Sequence, residues 1–365
     1  MKYDVAIIGA GPAGSTLASM LARQYKVLLV DRRRLDHDPN GAPGKCCGGL
    51  VAPDAQQAIA RLGLGLPSGV LAGPQLFAVR TIDLAAGLER HYQRFYINID
   101  RERFDRWLVS LAPRADTRFG CQFKGFERIE SGFRIRLAAA GREWVEDASV
   151  LIGADGASSP VRRLAVPGAT HPERYVAIQE WFEDRSQSPF FSALFDDETT
   201  DFYSWTIPKD GALLLGAALR PGGDAATKFE RLKEKLAPWG IRLGKLIRRE
   251  GAMILRPTSM RQICTGADGI ALAGEAAGFI SPSSCEGLSY AFRSAEALAE
   301  SLLPGIEGFE ARYAKSTRDL RTNILIKNLK SLFMYNSLLR HTVMKAGVSS
   351  LNISSTWRAD PHEPQ

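Results

Sequence analysis

The chain has 365 residues, 45% of them hydrophobic and 24% charged, with a formal net charge of +7. That balance describes a globular chain long enough for about two domains and excludes a disordered one. It also excludes a basic face spread over the whole molecule, because eight Lys or Arg against one acid fall between residues 311 and 346 and the remainder is neutral; nucleic acid is therefore not an expected partner.

Residues 3–8 form an apolar run that closes on a glycine turn and read as a buried strand. A helical pattern over 15–24 and a second buried strand over 26–30 follow. This βαβ unit predicts a parallel sheet, and its immediate start leaves no signal peptide expected. A Pro/Gly/Cys loop is expected over 39–49, helices over 53–62 and 101–111, and returning strands over 133–137 and 144–152. From 175 to 219 the text turns aromatic and alternating (VAIQEWF, FYSWTI, ALLLGAAL), which points to an antiparallel sheet of a second unit. A helix over 228–236, a strand over 269–273 and a helix over 287–303 come next. Residues 311–346 read as helical, and the polar last dozen as frayed. No apolar run reaches the ~18–20 residues that span a bilayer. Five cysteines, an odd number without framework spacing, suit a reducing cytoplasm. The histidines at 37, 91, 171, 341 and 362 share no ligand spacing, so no metal is expected.

Gly9-Ala10-Gly11-Pro12-Ala13-Gly14 sits between the first strand and the first helix, where a dinucleotide fingerprint must sit. Gly9 allows the tight turn, Gly11 lets the backbone approach a pyrophosphate, and Gly14 lets helix pack on strand. Pro12 and Ala13 open a helix whose N-terminus attracts phosphate charge. Asp31 ends the second strand about 20 residues on, where a carboxylate holds an adenosine ribose hydroxyl. Arg32, Arg33 and Arg34 follow it, and such arginines also suit the 2′-phosphate of NADP, so the fingerprint alone leaves the dinucleotide open.

Later segments resemble the FAD signatures of the p-hydroxybenzoate-hydroxylase-type flavoproteins. Gly153-Ala-Asp155-Gly-Ala-Ser-Ser-Pro-Val-Arg162 is similar to their GADGxxSxVR motif. Gly274-Glu275-Ala-Ala-Gly278 with Pro282, Glu286, Gly287 and Leu288 is similar to their GDAAGxxxPxxGxG segment, with Glu275 one methylene longer than the usual Asp and Cys285 where glycine is common. Three more motifs resemble the geranylgeranyl reductase family, closest to its shorter bacterial, CbrA-type members. These are Cys47-Gly48-Gly49-Leu50, the Arg101-to-Leu108 RxxFDxxL helix, and Tyr203-Ser-Trp205-Thr-Ile207-Pro208-Lys209 with Gly216 beyond, where Ile207 replaces a Phe.

The resemblance implies an α/β fold. An FAD-binding Rossmann-like domain would comprise residues 1–64, 101–169 and 262–305. An inserted, mostly antiparallel substrate-binding sheet would comprise 65–100 and 170–261, followed by a basic helical C-terminal segment over 306–350 and a frayed tail over 351–365. It implies FAD held by the fingerprint, Asp31, Arg32, Cys47, Gly48, Leu50, Arg101, Asp155, Gly274, Glu275, Gly287 and Leu288. The implied activity is reduction of isolated double bonds in a prenyl, polyprenyl or similar apolar lipid, with Tyr203, Trp205, Ile207, Pro208 and Lys209 at the substrate and Cys47, Tyr203 and Trp205 at the chemistry. Cys47 has two readings, a proton relay or a backbone contact to the flavin, and the aromatics are either a substrate slot or plain sheet core. A flavin hydroxylase, a halogenase and a redox sensor are the rival functions. The electron donor, NADPH or a ferredoxin, is open. The 311–346 segment either covers its own domain or lies on an anionic membrane, which would make the protein peripheral on the inner face.

Overall fold

The computed structural model describes residues 2–36, 45–185 and 188–351. The expected loop residues 39–44 and the tail from 352 onward lie outside the described residues. Two eight-stranded sheets organise the chain.

In the first sheet, Lys2–Ile8 lies parallel between Val27–Asp31 and Arg142–Gly153, and Asp116–Phe119 and Ile270–Leu272 extend it in parallel on either side. Its central strands are near-continuous apolar runs because both faces are covered. Val5 and Ile7 pack with Leu17 of helix Pro12–Leu21 and Leu298 of helix Leu288–Leu302, while Ala6 and Ile8 face Phe133, Ile135 and Ile270 on the other side. The hairpin Gln122–Ile129 and Gly132–Ala139 joins through Arg142–Gly153.

The second sheet runs, in spatial order, Leu243–Arg256, Glu173–Asp184, Ala212–Leu219, Ser204–Lys209, Phe191–Phe195, Leu76–Asp83, Leu88–Asn98 and Leu50–Val51. All its neighbours are antiparallel except Phe191–Phe195 with Leu76–Asp83. Leu50–Val51 thus pairs with this sheet although the sequence groups it with the nucleotide unit. The C-terminal segment is three helices, Phe309–Ser316, Arg318–Tyr335 and Ser337–Ala346. Among the described residues, no helix is long and apolar enough to cross a membrane.

Candidate functional site

The fingerprint glycines divide their work. Gly9 has φ +106°, and a Cβ there would come within 2.3 Å of the Ala154 carbonyl oxygen; at Gly14 it would stand 1.8 Å from the Gly9 carbonyl oxygen. These two therefore bind turn, helix and neighbouring strand together. Gly11 has no atom within 4 Å of where a Cβ would stand, and it faces a cavity. Helix Pro12–Leu21 starts beside it with Pro at its first turn, no acid there and no side-chain cap. Its leading amides and positive dipole end are left for an anion, which is the cradle a pyrophosphate needs. Gly156 lines the same cavity with equally open space above it.

At the end of the second strand, Asp31 accepts the Ala10 amide at 2.7 Å and the Arg33 amide at 2.8 Å. Arg33 turns inward, its guanidinium reaching Asp31 at 3.2 Å and Asp105 at 2.7 Å, whereas Arg32 is exposed. Neither Asp31 nor Arg32 lines the cavity.

The cavity, about 920 Å³, is walled by the loops and helix that follow the first sheet's strands, by the second sheet and by the last two helices. It brings together Gly11, Pro12, Ala13, Cys47, Gly48, Leu50, Arg101, Gly274, Glu275, Gly287 and Leu288 with Tyr203, Trp205 and Ile207. Asp155 stands just behind the wall formed by Ala154 and Gly156. Its Oδ2 accepts the Val161 amide at 3.1 Å, its Oδ1 is buried without a partner, and burial pushes the carboxyl up to about 6.

Pro208 and Lys209 do not line the cavity, contrary to their expected place at the substrate. The Pro208 carbonyl accepts from Asn98. Lys209 is buried behind the Cys-Gly-Gly loop, where Nζ donates to the Gly48 carbonyl at 2.8 Å and the Ile99 carbonyl at 2.7 Å, and burial lowers its pKa to about 8. A Cβ at Gly49, which has φ +65°, would stand 2.3 Å from that Nζ, and one at Gly48 would stand 2.7 Å from Ile207 Cδ1. The two glycines let the loop lie flat on the strand, and Lys209 staples it there.

The loop presents Cys47 to a line of alternating charges. Arg101 donates to Cys47 Sγ at 3.3 Å and to Asp105 at 2.7 Å, and Asp105 in turn meets Arg33. Burial alone would push the Cys47 thiol up; the Arg101 charge, the Gly49 amide at 3.4 Å and the Lys45 charge outweigh it and hold the thiol below its ordinary value. Lys45, also on the wall, is lowered by Arg101 first and by burial second. Cys46 differs: its thiol donates to Gln179 at 3.1 Å, and burial raises it. Glu275 accepts the Leu255 amide at 3.1 Å, and burial raises its carboxyl.

On the far wall, Trp205 lies against Gly216, where a Cβ would meet the indole at 2.4 Å, and Tyr203 packs 5.3 Å from it, centroid to centroid. This explains the distant glycine of that motif. Tyr203 donates to the Ser284 carbonyl at 2.7 Å, and burial holds its hydroxyl well above the ordinary range. Cys285 takes φ +53°, the region that favours glycine, at the position where the resembled motif commonly has one. Sequence reasoning missed Lys45, and it missed Arg94 and Tyr96, which bond Glu286 at 3.0 and 2.6 Å on the cavity wall. They come from separate elements and share no spacing that would announce them. Among the described residues, no group of three or more His, Cys, Asp or Glu is placed to hold a metal ion.

Comparisons with known proteins agree with this geometry. The FAD binding domain family matches residues 2–45. The chain is 43% identical over 350 residues to Protein CbrA of Escherichia coli O6:H1, which covers 96% of this chain and 94% of that one. Among solved structures, a geranylgeranyl bacteriochlorophyll reductase-like protein from Thermoplasma acidophilum superposes with TM-score 0.77 at 18% identity, over 94% of this chain and 90% of that one. PqsL, a probable FAD-dependent monooxygenase from Pseudomonas aeruginosa, superposes with TM-score 0.71 at 18% identity, over 95% and 100%. Fold and cradle together define a flavoprotein whose cofactor is FAD. More particularly, the chain belongs to the CbrA family.

Proposed function

We propose that this protein is a reductase of isolated C=C bonds in a prenyl, polyprenyl or similarly long apolar chain. Reduced FAD, when bound, supplies the hydride that such a reduction needs. The observation that carries the reading is the cavity: Tyr203, Trp205, Ile207 and Phe191 give it an apolar wall continuous with the fingerprint helix and with Cys47. An alkene offers no hydrogen-bonding handle, so it suits a dry slot of this kind.

Saturation adds a hydride to one carbon and a proton to the other. Cys47 is the group this chain holds ready for the proton, because Arg101 and Lys45 stabilise the thiolate left when its S–H bond breaks. The thiolate then regains a proton from solvent. Tyr203 serves binding and orientation, since its hydroxyl is committed to Ser284 and is a weak acid there. The name of the Thermoplasma neighbour supports a reductase, while that of PqsL keeps oxygen chemistry as the rival.

The test is anaerobic. Protein carrying reduced FAD is mixed with a polyprenyl alcohol and the product weighed by mass spectrometry. Flavin reoxidation with a gain of two hydrogens is expected. No reoxidation until oxygen and halide are admitted, with an oxygenated or halogenated product then formed, or no turnover with any acceptor, would overturn the reading in favour of a monooxygenase, a halogenase or a sensor.

A further inference from the structure

Helix Arg318–Tyr335 is apolar on two opposite sides. Leu320, Ile324 and Ser331 are buried on one. On the other, Leu325, Ile326, Leu329, Leu332 and Phe333 are each exposed by half or more. At 100° per residue those five fall within an arc of about 120°. A helix that covers a core carries one apolar stripe, and a soluble surface seldom collects this many large side chains. Helix Ser337–Ala346 adds Leu338, which is 78% exposed.

Cations frame the same faces. Arg318 lies two turns before Leu325 and Lys345 two turns after Leu338, so each shares the side of its apolar neighbours, and both are exposed. The basic count of the segment overstates what is available. Arg340 is buried against Asp83 at 2.7 Å, Lys327 pairs with Asp54 at 3.3 Å, and Arg312 is spent on the carbonyls of Ser301, Gly305 and Glu307. The cavity reaches this patch, because Lys330, Phe333 and Val343 belong to its lining.

We propose that helices Arg318–Tyr335 and Ser337–Ala346 seat on an anionic lipid bilayer. The leucines and Phe333 enter the acyl boundary, Arg318 and Lys345 meet the headgroups, and the cavity mouth faces the membrane. Arg318 and Lys345 set against one exposed acid on that side, Asp319, and continuity with the cavity favour this occupant over a second copy of the chain, which would bring like cations together without neutralising them. That the cavity takes its chain from the bilayer rests on the reductase reading above; the docking itself does not.

The experiment is co-sedimentation of the full-length, FAD-loaded protein with phosphatidylglycerol/phosphatidylethanolamine vesicles and with pure phosphatidylcholine vesicles. Binding to the anionic vesicles that weakens with salt is expected. Leu325→Gln/Leu329→Gln/Leu332→Gln should reduce it more than tenfold, and Arg318→Gln/Lys345→Gln about thirtyfold, at roughly 1 kcal/mol per cation. Flavin content and melting temperature, read alongside, show that both variants fold. Equal binding by wild type and both variants, or no binding, overturns the docking. So does a dimer in sedimentation equilibrium that the leucine variant dissociates, which would assign the face to a second copy. A short, water-soluble prenyl alcohol separates the two readings: turnover without vesicle binding leaves the reductase and removes the docking, and vesicle binding without turnover does the reverse.

Discussion

At the scale of single residues, Cys47 carries the sharpest expectation. Its thiol sits low because Arg101 and Lys45 outweigh the effect of burial, so removing a cation should raise it. Alkylation by iodoacetamide followed against pH should give a midpoint below the ordinary ~8.5 for Cys47, and Arg101→Gln should move that midpoint upward. A midpoint that does not move would detach Arg101 from the thiol. Cys47→Ala should lower turnover by about 10²–10⁴ with FAD content intact, the span expected of a lost proton donor. Roles at this scale were unevenly legible. Gly9, Gly11 and Gly14 announce themselves because only glycine satisfies their three different demands. Lys209 misled, because a lysine in a substrate motif reads as a ligand group, and only the three-dimensional path of the loop shows its ammonium facing backbone carbonyls. Arg33 and not Arg32 turns inward for a similar reason: Asp105, its second partner, lies 72 residues away.

Elements show where sequence patterning succeeds and where it stops. Helices Pro53–Arg61 and Arg101–Ser110 were readable because each buries one stripe, and Leu288–Leu302 because it is a long run of helix formers buried on nearly every side. Strand Leu243–Arg256 was not, since it is the charged, largely exposed edge of its sheet and lacks alternation. The breaks within 311–346 were equally hidden. No glycine or proline marks them; Asn336 ends one helix and caps the next by accepting the Leu339 amide at 3.0 Å. The fingerprint helix offers a test that separates folding from binding. A Cβ at Gly11 meets no atom and opens on the cavity, so with Gly11→Glu the fold should persist with circular dichroism unchanged, but the carboxylate would compete for the helix N-terminus and FAD content should fall more than tenfold. Retained flavin would show that the cradle lies elsewhere. Lys209→Met removes the staple of the Cys-Gly-Gly loop and its hydrogen bonds to the Gly48, Gly49 and Ile99 carbonyls, which should cost about 1–3 kcal/mol in denaturant unfolding. Burial depresses this lysine, so between about pH 8 and its ordinary value the unfolded chain binds the extra proton and wild-type stability rises with pH. The variant should lose that rise.

For the whole molecule, the fold class was legible because strand, glycine turn, helix and acid agree, and because the aromatic alternation marks a second sheet. The docking of the C-terminal helices was not. It depends on Arg340, whose guanidinium is 4% exposed and meets Asp83, 2% exposed, across 257 positions of sequence. Arg340→Ala leaves Asp83 buried without its cation, at a cost of about 3–5 kcal/mol. Hydrogen exchange should show helix Ser337–Ala346 opening first, and uniform loss of protection would count against a local latch.

The cavity has a consequence for the life of the chain. Its wall is drawn from the loops beyond the first sheet, from the second sheet and from the last two helices, so an FAD held there would touch surfaces that are adjacent only when the chain is folded. A ligand of that kind stabilises by mass action, adding about 2.7 kcal/mol at a hundredfold excess over its dissociation constant, or about 3–4 °C of melting temperature at this length. Titrating FAD into the apoprotein should trace that rise, and a flat melting curve would contradict it. In a cell the same linkage makes abundance follow vitamin supply: riboflavin starvation would enlarge the unfolded fraction, and proteolysis would remove it.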